Sequence, residues 1–136
     1  MVVKIKMRIW IDKDGQEIMG PGIYNILKAL EETGSIASAA RRLGYSYKFI
    51  WTYIKKLEEA LGVPLVESRR GGKERGVSEL TEVGKLLLSY YEAMSKEAEQ
   101  VVATWERRFS ELLSNLEQYA TKPSRDEEEI PYYEEE

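Results

Sequence analysis

The apolar positions along this chain change period several times, and each change marks a new element. Val3, Ile5, Met7, Ile9 and Ile11 alternate with Lys4, Lys6, Arg8 and Trp10, the period of two that a half-buried strand requires. Asp12-Lys13-Asp14-Gly15 supplies a turn, and Gln16 to Met19 returns as a second, shorter strand. Gly20-Pro21-Gly22 closes the hairpin, with the proline placed for a first helical turn, where its missing N–H costs nothing. Ile23, Ile26, Leu27 and Leu30 then fall at i, i+3, i+4 and i+7, one stripe of a helix that Thr33-Gly34 ends. Ser35 caps a second helix, whose inner face is Ile36, Ala39, Ala40 and Leu43 and which stops at Gly44. Its alanines let a neighbour approach closely. Ser46 caps a third helix from Tyr47 to about Leu61, with Ile50, Ile54, Leu57 and Leu61 inward, Trp51 beside them, and Gly62-Val63-Pro64 as its stop.

Leu65 to Arg69 reads as a short strand, Arg70 to Gly76 as a glycine-rich hairpin tip, and Val77 to Leu80 as the returning strand. Thr81 caps a long helix predicted to reach Ala120. Its apolar positions are Leu87, Tyr91, Met94, Ala98, Val101, Trp105, Phe109, Leu112, Leu116 and Tyr119. Steps of three and four alternate along this series except for adjacent fours at Trp105, which is a coiled-coil seam with one stutter. Forty residues of helix span about 60 Å, too far for the distal half to pack on its own domain. Met94, Val101, Trp105, Phe109, Leu112 and Leu116 are therefore expected to meet a second copy of the chain. Pro123 ends regular structure, and Arg125 to Glu136 is acidic and expected to be disordered. The organisation predicted is 1–80 as a compact domain, 81–120 as a dimerisation helix and 121–136 as a tail. The fold class is mainly α with small β: a winged helix-turn-helix with an N-terminal β-hairpin.

A length of 136 residues suits one compact domain with an appendage. Cysteine and histidine are both absent. Disulfides, thiolate metal sites, cysteine nucleophiles and the commonest general base are thereby excluded. No nucleophile–base set or metal-ligand cluster emerges, so no catalytic residue, metal, cofactor or small-molecule ligand is expected. No apolar run approaches the length of a signal or membrane span, so a cytosolic location is expected.

The net charge of −4 argues at first against a nucleic-acid partner. Its distribution reverses that reading. Between Gly34 and Gly76 nine basic side chains oppose four acidic ones, a balance of +5, while from Thr121 onward two basic residues oppose seven acidic ones, a balance of −5. Two helices joined by a short glycine-containing turn are the helix-turn-helix arrangement, in which the second helix enters the major groove. Ser35, Ser46, Tyr47, Lys48, Thr52, Tyr53 and Lys55 are the candidate contacts from the helices. Lysine donates to guanine or phosphate, and hydroxyls donate, accept or touch a thymine methyl. Arg69, Arg70, Lys73 and Arg75 on the glycine-rich tip are the candidate wing, which lies along phosphates or enters the minor groove.

The stretch Gly34-Ser-Ile-Ala-Ser-Ala-Ala-Arg-Arg-Leu-Gly-Tyr-Ser-Tyr-Lys-Phe-Ile-Trp, then Glu67-Ser68-Arg69, Gly71-Gly72-Lys73 and Leu80-Thr81-Glu82-Val83-Gly84, resembles the N-terminal domain of the ModE family of molybdate-responsive regulators. Ile54-Lys-Lys-Leu-Glu-Glu-Ala-Leu-Gly-Val-Pro-Leu-Val also resembles the related LysR-type winged helix. The resemblance covers roughly Gly22 to Met94. It implies a dimeric transcription regulator with Ser46, Tyr47 and Lys48 in its recognition helix and dimerisation through the helix after the wing. No oxyanion pocket is legible, so molybdate sensing is not implied. The partners expected are double-stranded DNA and a second copy. An architectural binder of low specificity and a protein-interaction module are the competing functions.

Overall fold

The computed structural model of the chain describes residues 1–68 and 76–120. Its elements are β1 Ile11–Lys13, β2 Gln16–Met19, α1 Pro21–Thr33, α2 Ile36–Leu43, α3 Tyr47–Leu61, β3 Val66–Ser68, β4 Ser78–Leu80, α4 Glu82–Ser114 and α5 Glu117–Ala120. β1 pairs antiparallel with β2 and β3 with β4, as two separate two-stranded ladders.

Among the described residues two compact units are distinguished, residues 7–99 and residues 1–6 with 100–120. The first contains one apolar core. Ile23, Leu27 and Leu30 of α1 meet Ala39 of α2 and Ile50, Ile54 and Leu57 of α3. Leu65, Leu80 and Leu88 seal that core from the strand pair and α4. The 3.6-residue stripes read from the sequence thus all converge on one interior, and each fully buried leucine or isoleucine contributes about 1.5–3 kcal/mol.

Capping follows the local chemistry. Oγ of Ser35 accepts from the Ser38 amide at 3.0 Å and starts α2. Oγ of Ser46 accepts from the Phe49 amide at 3.1 Å and starts α3. α2 ends at Gly44 with φ 77°, a left-handed conformation that a side chain rarely adopts. The first hairpin turns on Asp14 and Gly15, both at positive φ (52° and 82°), the geometry of a tight two-residue loop.

Two elements differ from the sequence reading. The alternating N-terminal segment pairs as a strand only from Ile11. Its partner β2 is four residues long and has nothing to offer beyond Ile11. Upstream backbone groups find side chains instead: the Ile9 carbonyl accepts from the Tyr91 hydroxyl at 2.7 Å, and the Ile5 amide donates to Oε2 of Glu106 at 2.9 Å. Trp10 lies over Gly20, where a Cβ would come within 2.7 Å of its ring. The long helix ends at Ser114 rather than Ala120, because Asn115 turns back on it. Its amide donates to the Leu112 carbonyl at 3.2 Å and its side-chain Nδ2 to the Glu111 carbonyl at 2.9 Å. Asparagine competes for helix carbonyls in this way and so closes helices.

Candidate nucleic-acid interface

α2 and α3 are held by a turn of three residues. Gly44 reverses the chain, and the Tyr45 amide donates to the Ala40 carbonyl at 2.9 Å. Ile50, Ile54 and Leu57 fix the rotation of α3 by burying one face. The opposite face then carries Lys48, Thr52, Lys55 and Lys56, all exposed. Tyr47 and Trp51 flank this line on one side and Phe49 and Tyr53 on the other. Aromatic rings thus frame a polar and cationic strip, a surface with the size and donors to enter a groove of duplex DNA.

The sequence-derived candidates are not equivalent in this geometry. Tyr47, Lys48 and Thr52 are exposed at the N-terminal end of α3. Ser35 and Ser46 use an oxygen lone pair for capping, and each hydroxyl proton remains available to a phosphate. Tyr53 is half-buried: its ring sits 5.9 Å from Phe49, which stacks on Tyr45 at 4.6 Å. Burial, then the charge of Glu17, then Tyr45 push the Tyr53 hydroxyl above its ordinary pKa of 10.0. Phe49, Thr52, Tyr53 and Lys56 line an open groove of about 670 Å³ whose far wall is Gly15, Gln16 and Glu17 of the hairpin. Nζ of Lys55 lies 5.6 Å from the Trp51 ring centre and 3.3 Å from Oε1 of Glu58. Arg69, Arg70, Lys73 and Arg75 lie outside the described residues.

Three further residues belong to this surface and were missed in the sequence. Lys56 is on the exposed face with Lys48 and Thr52, at i, i+4 and i+8, a spacing that was legible once the buried phase was known. Phe49 is exposed despite its hydrophobicity and extends the aromatic frame. Glu58 had no signal of its own. Its Oε2 accepts from the Leu65 amide at 2.7 Å and the Val66 amide at 3.3 Å, tying the end of α3 to the start of β3.

The strand pair is seated on the core by its ends. The Ser78 amide donates to the Gly34 carbonyl at 2.7 Å, and the Thr81 amide to the Leu65 carbonyl at 2.8 Å. Oγ1 of Thr81 donates to the Pro64 carbonyl at 2.8 Å and accepts from the Gly84 amide at 3.2 Å, which caps α4.

The expected dimerisation residues divide. Met94 is half-buried against the core of the first unit. Val101, Trp105, Phe109, Leu112 and Leu116 are each about half exposed, and the Arg108 guanidinium lies 4.5 Å from the Trp105 ring centre. Among the described residues no helix is long and apolar enough to cross a membrane, and no cluster of acidic side chains could hold a metal ion.

Comparison with known proteins places this geometry. The family of bacterial regulatory helix-turn-helix proteins of the lysR type matches residues 24–85. The molybdenum-pterin-binding protein MopB of Rhodobacter capsulatus is 34% identical over 89 residues, covering 65% of this chain and 33% of that protein. The molybdenum transport protein ModE of Azotobacter vinelandii is 29% identical over 105 residues, covering 77% of this chain and 39% of that protein. The chain therefore spans about a third of the length of these curated relatives. Among solved structures, the full-length LTTR LysG of Corynebacterium glutamicum superposes with a TM-score of 0.52 at 24% identity, over 68% of this chain and 30% of that one, a likeness of fold. Residues 24–85 thus match the LysR-type regulatory helix-turn-helix model, and around them the chain is similar in sequence to the N-terminal parts of the ModE and Mop proteins.

Proposed function

We propose that the protein is a sequence-specific DNA-binding transcriptional regulator that acts as a homodimer. The observation that carries this reading is the capped start of α3, which holds Tyr47, Lys48 and Thr52 exposed on a helix fixed by three buried residues. In this function α3 enters the major groove, its side chains meet base edges, and the amides at its N-terminus face a phosphate. Arg69, Arg70, Lys73 and Arg75, between β3 and β4, supply the wing on the backbone or minor groove. The names of similar proteins, among them the transcriptional regulator ModE of Haemophilus influenzae, agree with regulation as the activity.

The homodimer rests on the half-exposed Val101, Trp105, Phe109 and Leu112 of α4, which a second copy would cover. Residues 1–80 then bind DNA and 81–120 pair the subunits; the acidic 121–136, expected as a tail, lies outside the described residues. A twofold dimer reads two half-sites one helical turn apart, about 34–36 Å, or a multiple of it.

Selection of bound sequences from a random duplex pool tests the function. The expected result is a paired motif at fixed spacing. Binding with a steep salt dependence but no enriched motif would replace regulation with architectural coating of DNA. No binding at low salt would reject DNA as the partner.

A further inference from the structure

α3 carries two adjacent lysines that face solvent, and their electrostatic settings differ. Lys55 stands 3.3 Å from Oε1 of Glu58, and its ammonium also lies over Trp51. Lys56 makes no ion pair among the described residues and lines the groove beside Thr52. The partner of Lys55 is not an ordinary surface carboxylate. The Glu58 side chain is only 12% exposed, and its second oxygen accepts from the Leu65 and Val66 amides. Those two bonds span seven and eight residues and pin the carboxylate where it stands. Held by these two amides, the Glu58 carboxylate stays one turn from Lys55 and offsets its charge. Counterion release from DNA depends on the cations that neutralise phosphates, and a lysine already balanced by a fixed carboxylate adds none.

We infer that Glu58 is a positioning residue that locks β3 onto the recognition helix and removes Lys55 from the DNA-contacting set, leaving Lys48 and Lys56 as the lysines of α3 that meet phosphate or base. This rests on the DNA-binding function proposed above. It replaces Lys55 with Lys56 in the contact set drawn from sequence, and it makes the placement of β3 against α3 depend on one largely buried carboxylate.

The test is anisotropy binding of the full chain to a random 30-base-pair duplex from 50 to 200 mM salt. Lys56→Gln should flatten the log–log salt slope by about 0.9, so that affinity falls about threefold less across this range than in the unaltered protein. Glu58→Gln keeps an acceptor for the two amides and frees Lys55, so the slope should steepen by about the same amount. The double change Lys55→Gln/Glu58→Gln removes both charges and should return the slope to that of the unaltered protein. The positioning role has a separate readout. Hydrogen exchange at the Leu65 and Val66 amides should accelerate in Glu58→Ala and recover in Glu58→Gln. The inference is overturned if the double variant loses as much slope as Lys56→Gln, or if Lys56→Gln leaves the slope unchanged. Unchanged exchange in Glu58→Ala overturns the lock. Should Glu58→Gln fail to fold, Lys56→Gln and Lys55→Gln still decide: equal flattening by both would sink the inference. No binding by the unaltered protein at 50 mM salt would instead reject the DNA function itself.

Discussion

Gly84 tests whether packing or helix propensity controls the seat of the β3–β4 pair. It lies in the first turn of α4, where alanine is intrinsically better than glycine by about 1 kcal/mol. On propensity alone Gly84→Ala should stabilise the protein. The structure says otherwise. A Cβ at this position would stand 2.6 Å from the Leu65 carbonyl oxygen and 3.3 Å from Cβ of Leu80. The first contact is backbone and cannot be relieved by a rotamer change. That same carbonyl accepts from the Thr81 amide at 2.8 Å, so moving it strains the bond that seats β4. Overpacking of this kind costs about 1–3 kcal/mol, and the strained hydrogen bond adds about 1 kcal/mol. Against the propensity gain, the net expectation is a loss of about 1–3 kcal/mol. Urea denaturation followed by tryptophan fluorescence measures it, with Ser89→Ala on the exposed face of α4 as a control expected within about 0.5 kcal/mol of the unaltered protein. Stability equal to or above that of the unaltered protein would refute the close approach and leave propensity in charge.

Three other outcomes are expected. Ser46→Ala should cost about 1 kcal/mol through loss of the α3 cap, whereas Ser46→Asp should keep the stability and weaken DNA binding by repelling phosphate; equal DNA affinity of the aspartate variant and the unaltered protein would remove Ser46 from the interface. Trp105→Glu should dissociate the proposed dimer in light scattering, and a variant with the same mass as the unaltered protein would reject the α4 face as drawn. Tyr24, Tyr53 and Tyr91 all have hydroxyl pKa values raised above 10.0, with burial as the largest cause in each. The neutral form is favoured by folding, so this contribution is complete below pH 10 and is lost as pH rises through the raised values; urea midpoints that do not fall between pH 9 and pH 11 would contradict it.

The sequence carried most of the core, because three amphipathic helices of ordinary length each announce a face through their period. It carried the caps for the same local reason: Ser35, Ser46 and Thr81 act on amides within three residues of themselves. α4 was harder. Its apolar series runs through Leu87, Tyr91 and Met94; Tyr91 is buried in the core at 7% exposure as that series implies, but Leu88, outside the series, is the more deeply buried leucine at 1% while Leu87 is only half-buried. Two apolar faces on one helix overlap into a single series of threes and fours. The period alone cannot say which residue turns inward.

The same limit governs the candidate interface at finer scale. Lys55 and Lys56 are indistinguishable by type, and both lie away from the buried face of α3. What separates them is a carboxylate three residues from Lys55 whose orientation is set by amides seven and eight residues further along the chain. A helical wheel places Glu58 near Lys55 but cannot tell a mobile surface pair, worth a few tenths of a kcal/mol, from one whose anion is held by the backbone of β3. The net charge that α3 presents on this face is therefore a tertiary property. It depends on where the chain goes after Pro64, because the amides of Leu65 and Val66 are what keep Glu58 in place.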